Sequence, residues 1–176
     1  MFFHVRNLEQ KPVPFDVELP DTGSANGGID FLEPDLHQKG PLHASGQAAF
    51  VLGSEEIRVT GRLKVTMQVE CDRCLEPGFH PIDSDFEMVY RPVAEGYGEE
   101  ISVDESEADL GFYQGNGIEL NDVLREYILL ALPMQRLCKE DCQGICPVCG
   151  QNRNLNPCTC EVRPTDPRWA ALKSLQ

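Results

Sequence analysis

Eight cysteines in four close pairs constrain this chain more than any other feature: Cys71/Cys74, Cys138/Cys142, Cys146/Cys149 and Cys158/Cys160. The first 70 residues contain none, and six of the eight crowd into 23 residues. A small secreted scaffold instead spreads its cysteines to close loops across the whole chain. The N-terminus, Met1-Phe2-Phe3-His4-Val5-Arg6, lacks the basic flank and apolar core of a secretory signal. No apolar run reaches the roughly 20 residues of a membrane span. The expectation is a soluble cytoplasmic protein whose cysteines are reduced and bind metal.

Zinc favours four thiolates in a tetrahedron, and two cysteines separated by two or three residues supply adjacent corners from one tight turn. Cys146-Pro147-Val148-Cys149-Gly150 has the make-up of such a turn: Pro147 fixes φ, and Gly150 can pass the sulfur with positive φ. Cys71-Asp72-Arg73-Cys74 is a second knuckle, and the other two pairs are more loosely spaced. If each pair stays together, the first pair can share an ion with any of the other three, leaving three partitions open. One zinc with some free thiols is a further option. The other chemistry of C-x-x-C, thiol redox exchange, belongs at a helix N-terminus. Here Cys74 runs into Leu75-Glu76-Pro77-Gly78, a turn, and Asp72 and Glu76 disfavour a lone thiolate.

Before the knuckles the chain reads as sheet. Val13, Phe15, Val17 and Leu19 alternate weakly, and residues 21–41 read as a loop. Leu42 to Leu52 and Ile57 to Val69 then alternate at period two around Gly53-Ser54-Glu55-Glu56, the pattern of a long hairpin running into Cys71. Phe86, Met88 and Tyr90 mark a further strand within 78–91, and residues 93–117 read as an acidic excursion. A helix capped by Asn121 places Val123, Leu124, Tyr127, Ile128 and Ala131 inward and Arg125-Glu126 outward, and Pro133 stops it. A short helix is expected after Asp166-Pro167. The expected architecture is α+β: an antiparallel sheet with one packed helix over residues 1–135. A cysteine-rich zinc-binding module at 136–176 packs on it, within one structural domain.

The net charge of -14 counts against a protein that coats nucleic acid with general positive charge. Residues 82–122 hold twelve acids against Arg91 alone, so -11 of that charge lies in one stretch. It is either a solvated face or a docking surface for a basic partner. Residues 136–173 carry six bases and four acids, but two four-thiolate zinc sites would add -4. Any RNA contact there is local, with Arg136, Lys139, Arg153 and Arg163 as the candidate contacts. The four histidines are scattered, and there is no phosphate-binding glycine loop, nucleophile elbow or H-E-x-x-H helix. A closed four-thiolate shell leaves no position for water or substrate. The expectation is therefore no enzyme and no small-molecule substrate.

Several segments together resemble one family: Cys71-Asp72-Arg73-Cys74-Leu75-Glu76-Pro77 after a long hairpin, an acidic excursion, and Arg125-Glu126-Tyr127-Ile128-Leu129-Leu130-Ala131-Leu132-Pro133. Cys142-Gln143-Gly144-Ile145-Cys146-Pro147-Val148-Cys149-Gly150-Gln151-Asn152, Cys158-Thr159-Cys160 and Asp166-Pro167-Arg168 follow in order. The chain resembles the large ribosomal RNA subunit accumulation, or YceD-like, proteins over roughly residues 40–172. Arg153 departs from the pattern, which has an aliphatic residue there. The resemblance implies a non-enzymatic factor supporting 23S rRNA accumulation or processing and large-subunit assembly. Its partner would be a ribosomal precursor, met as 23S rRNA or as a basic large-subunit protein. The resemblance also implies that Cys71/Cys74 share one zinc with Cys146/Cys149. The competing expectation is a metal-handling or thiol-redox protein with labile cysteine pairs.

Overall fold

In a computed structural model of the chain, residues 1–21, 29, 31, 36–93 and 110–160 are described. The expected hairpin is present and longer than its apolar alternation. It comprises β3 (Leu36–Val51) and β4 (Glu56–Glu70), followed by β5 (Pro77–Pro92). With β2 (Val13–Leu19) and β6 (Leu110–Tyr113) they form a five-stranded sheet in the order β2-β3-β4-β5-β6. The sheet is mixed rather than antiparallel throughout, because β6 pairs parallel to β5, with Val89 opposite Leu110. A second, two-stranded sheet pairs β1 (Phe2–His4) with β7 (Gly117–Glu119). One helical turn, α1 (Val5–Leu8), follows β1, and the main helix α2 is Leu120–Ala131.

Two expected loops therefore contain strands. Residues 36–39 pair with 66–69, and the register then shifts by two before His43 meets Lys64. Gly40 at φ +77 and Pro41 read as breakers in the sequence, yet they sit in a bulge that leaves the strand intact. Buried Gln38 closes it, its side-chain amide donating to the carbonyls of Leu19, Pro20 and Gly40 at 2.8–3.1 Å. In the expected acidic excursion at 93–117, residues 110–113 are a strand and Gly117 opens another, and 94–109 lie outside the described residues, as does the expected terminal helix after Asp166.

Period-two alternation sends Leu42, Ala44, Val59, Leu63, Met67 and Phe86 to one face, where they join a single buried cluster. Helix α2 covers that face, burying Leu120, Val123, Leu124 and Ile128 against it. Its details differ from expectation. The helix starts earlier than expected: the cap residue is Glu119 rather than Asn121, with no side-chain cap bond, and the Leu120 N–H donates to the Met1 carbonyl at 2.8 Å. Ala131 is exposed, as the chain is leaving the sheet there. Arg125 and Glu126 are half-buried rather than outward, and Glu126 accepts a 2.7 Å hydrogen bond from Tyr90.

The opposite face of the sheet is polar, with Arg62 on Asp83 at 2.8 Å and Arg58 on Glu87 at 3.4 Å. Such exposed pairs contribute little to stability. Glu56 differs: it is buried and accepts from Arg91 Nε at 2.7 Å. That bond holds its carboxyl below the ordinary 4.5 despite burial, which opposes ionisation. Its contribution to folding is thus present above the unfolded carboxylate range and lost as pH falls through the lower folded value. Glu56→Gln is expected to lower stability at neutral pH by about 1 kcal/mol and to flatten the acid limb of the pH–stability curve. Denaturant melts at pH 7 and below pH ~4 check both; an unchanged acid limb removes Glu56 from the account.

Candidate metal centres

The β4–β5 connection is the first knuckle, residues 71–76, as its position at the end of the long hairpin implied. Inside it, Leu75 N–H bonds to the Cys71 carbonyl at 2.9 Å. The knuckle at 146–150 repeats this bond from Gly150 N–H to the Cys146 carbonyl, also at 2.9 Å. The residue after the second cysteine is left-handed in both, at φ +63 for Leu75 and +73 for Gly150. Glycine takes that conformation freely, whereas leucine is strained there. Leu75→Gly is therefore expected to raise stability by up to about 1 kcal/mol. A fall in melting temperature would show instead that the Leu75 side chain, 59% exposed, makes contacts that outweigh the strain.

After α2 the chain runs back beside the first knuckle. Asp72 N–H donates to the Arg136 carbonyl at 2.9 Å, and Arg136 N–H donates to the Asp72 carboxylate at 2.6 Å. Close passage at β5 also requires Gly78, since a Cβ there would lie 3.1 Å from the Cys138 Cα. Cys138 and Cys142 thus reach the first knuckle before the second one can. All eight thiols gather in two groups, Cys71, Cys74, Cys138 and Cys142 in the inner and Cys146, Cys149, Cys158 and Cys160 in the outer. This overturns the pairing of Cys71/Cys74 with Cys146/Cys149. The second knuckle is held one layer out, where Ile145 N–H bonds to the Arg73 carbonyl at 2.9 Å. There the x1 pair Cys158/Cys160 folds back to it.

Within each group the four sulfurs lie within 4.8 Å of one another. In the inner group Cys71–Cys142 is 3.8 Å and Cys74–Cys138 is 3.5 Å. A tetrahedral ion with bonds of about 2.3 Å has sulfur–sulfur edges of about 3.8 Å, so the donor set fits a four-coordinate thiophilic metal.

The electrostatics of both groups are compatible with a bound cation. Burial opposes the Cys71 thiolate, yet backbone N–H groups of Arg73, Cys138 and Cys74 bring its pKa down to about 6. Burial and the neighbouring thiols push Cys74 up to about 12. At Cys142 burial is outweighed by the Asn154 side-chain amide, 3.3 Å from sulfur, and the Gly144 N–H. The outer group divides likewise: N–H groups of Cys149 and Val148 lower Cys146 to about 6, and the Cys149 thiol pushes Cys160 up to about 12. Four thiols in one small volume cannot all ionise unaided, and a bound cation removes that conflict.

The centres differ in setting. Cys71 is 0% exposed and Cys74 and Cys142 are each 4% exposed, whereas Cys149 and Cys160 face solvent. Of the bases expected to contact RNA, Arg136 lies beside the inner knuckle, Lys139 pairs with Asp141 at 3.6 Å, and Arg153 is exposed on the outer knuckle. Arg163 lies outside the described residues.

The family model for the large ribosomal RNA subunit accumulation protein YceD matches residues 59–176. The chain belongs to the YceD family. The matched YceD region begins within β4 and includes every cysteine of both centres. Curated relatives include uncharacterized proteins of Mycobacterium tuberculosis and Mycobacterium bovis, each 29% identical over 120 residues, 68% of this chain and 55% of the relative. An uncharacterized protein of Mycobacterium leprae is 26% identical over 122 residues, 69% of this chain and 54% of the relative. The chain thus spans about half the length of the curated relatives it matches. No solved structure matches it. No helix among the described residues of this YceD-family chain is long and apolar enough to cross a membrane.

Proposed function

We propose that this protein is a non-enzymatic, cytoplasmic factor that supports 23S rRNA accumulation and large-subunit assembly, its fold held by two structural zinc ions. The family match carries the ribosomal part of this reading. The zinc part rests on two closed sets of four thiols at tetrahedral spacing. Its partner is a ribosomal precursor, met as rRNA near Arg136, Lys139, Arg153 and Arg163 or as a basic ribosomal protein. Depletion in the source cell, followed by quantification of mature 23S rRNA and large subunits, tests the reading. A fall in both supports it, and normal levels of both refute it.

A second reading has one observation in its favour, the exposure of Cys149 and Cys160. On that reading the outer centre exchanges metal or cycles to a disulfide, and the protein handles metal or thiol redox. Metal analysis with thiol titration separates the two. Two tightly held zinc ions favour structure, and rapid exchange or reversible disulfide formation at the outer centre favours the alternative.

A further inference from the structure

The segment that joins Cys149 to Cys158 begins and ends in the outer centre, but its middle touches the inner one. Asn154 Nδ2 lies 3.3 Å from the sulfur of Cys142, an inner thiol, and Asn154 Oδ1 accepts from the Gln143 N–H at 2.8 Å. Asn152 Oδ1 accepts from the backbone N–H and from Nδ2 of Asn154, both at 3.0 Å. One amide hydrogen of Asn154 is thereby taken by Asn152, and the other is left for sulfur. Asn152 is itself tied to the first knuckle, its Nδ2 donating to Glu76 Oε1 at 3.4 Å.

The backbone brings this contact about. Gly144, at φ +68, turns the chain after Cys142, and Ile145 then pairs antiparallel with Asn152. The Cys146 N–H bonds to the Gln151 carbonyl at 2.8 Å, and the Arg153 N–H to the Gly144 carbonyl at 3.0 Å. Beyond that bridge, residues 150–158 form no helix or strand, and Leu155 is 67% exposed rather than anchored in a core. What pins the segment at both ends is the outer set of thiols. Closing that set shortens the free loop, so less ordering entropy remains to be lost when Asn154 settles on sulfur. An N–H donated to a coordinating thiolate disperses its charge and orients it.

We propose that the two centres are coupled through Asn154 as a positioning residue: closure of the outer set holds the Asn154 amide on the Cys142 sulfur and so tightens metal binding at the inner set. Linkage makes the effect reciprocal. The inference rests on the reading that both sets hold structural ions, and it gives the exposed outer set a regulatory part. A chain that loses its outer ion holds the buried one less firmly.

The test is cadmium NMR on the full chain, loaded with cadmium in place of zinc. Each four-thiolate centre gives its own resonance, assigned by its loss in Cys71→Ser or Cys160→Ser, and competition with a chelator yields the affinity of each. Asn154→Asp keeps the acceptor for the Gln143 N–H and removes the donor to sulfur. It is expected to weaken the inner centre about tenfold, and Cys160→Ser, which opens the outer set, about fivefold. The double variant should lose about tenfold, because both changes remove the same contact. Asn156→Asp makes the same charge change on an exposed side chain and should stay within about twofold. Circular dichroism confirms that the variants fold; should Cys160→Ser fail, Cys149→Ser opens the same set through the other exposed thiol. Unchanged inner affinity in either single variant, losses that multiply in the double variant, or equal weakening by Asn156→Asp overturns the proposal. Two ions bound independently remove the coupling and leave both structural sites, whereas a chain that takes up no second ion removes the two-ion reading as well.

Discussion

Cys71→Ser is expected to retain about one zinc ion per chain instead of two and to lose upwards of about 3 kcal/mol of folding stability. Cys71 follows directly on β4 and is 0% exposed, so the substitution leaves a hydroxyl and three thiols in a buried volume with no closed set of four sulfurs to hold the ion. It also removes one of the two thiols, with Cys74, through which a bound metal would tie residues 138–142 to the end of the sheet. Cys160→Ser is expected to cost one zinc ion as well, but less than about 1 kcal/mol, because Cys160 is exposed and the outer knuckle lies beyond the core. Cys146→Ser falls between them, destabilising chiefly the outer module. Zinc content measured beside urea unfolding separates these cases. Two retained ions in Cys71→Ser, or an unfolding midpoint equal to that of the unsubstituted protein, would falsify the assignment of the inner centre.

Gly46→Ala is expected to be nearly as damaging, for a reason unrelated to metal. Gly46 and Gly61 face one another across β3 and β4, and their outer partners in register are Phe15 on β2 and Phe86 on β5. The four positions make one row across the core face, ring, glycine, glycine, ring. A Cβ on Gly46 would lie 2.1 Å from the Thr60 carbonyl oxygen, 2.6 Å from the Gly61 Cα and 3.0 Å from the tip of the Phe15 ring. Two of those neighbours are backbone, so no rotamer change relieves the clash, and the strands must separate. A loss of about 3 kcal/mol or more is expected. Gly61→Ala should behave alike, since its Cβ would meet the Ser45 carbonyl oxygen at 2.4 Å. Ser45→Ala, on the solvent face one residue away, should stay within about 0.5 kcal/mol of the parent. Urea melts of the three variants suffice, and a Gly46→Ala protein as stable as Ser45→Ala would show that the backbones are not so close.

The long hairpin was legible because one buried face imposes strict period two from Ile57 to Val69. The cysteines as two groups of four were legible because metal spacing is a local property. What escaped reading is non-local. Three- and four-residue strands such as β7 and β6 carry too few side chains to show a period, and their pairing depends on where β1 and β5 lie. The start of β3 was hidden by Gly40-Pro41, which mark a bulge as readily as a loop. The cysteine partition turned on the path taken after α2, fixed by Asp72, Arg136 and Gly78, none of which is a ligand. Helical periodicity alone places Glu126 outward, because it does not register the Tyr90 hydroxyl that donates to its carboxylate from β5.

The 71-residue separation of Cys71 from Cys142 also sets an order of events during synthesis. At about 5–20 residues per second, the first knuckle is made roughly 4–14 seconds before the last ligand of its centre. For that interval two thiols wait at the tip of a hairpin that can already pair, and β1 waits longer still for a strand ending at Glu119. The inner centre is thus a late fastener, closing a fold whose ends have been brought together rather than seeding it. Cells short of zinc should accordingly accumulate chains with a formed hairpin and an open C-terminal half, a state that limited proteolysis on nascent chains would expose.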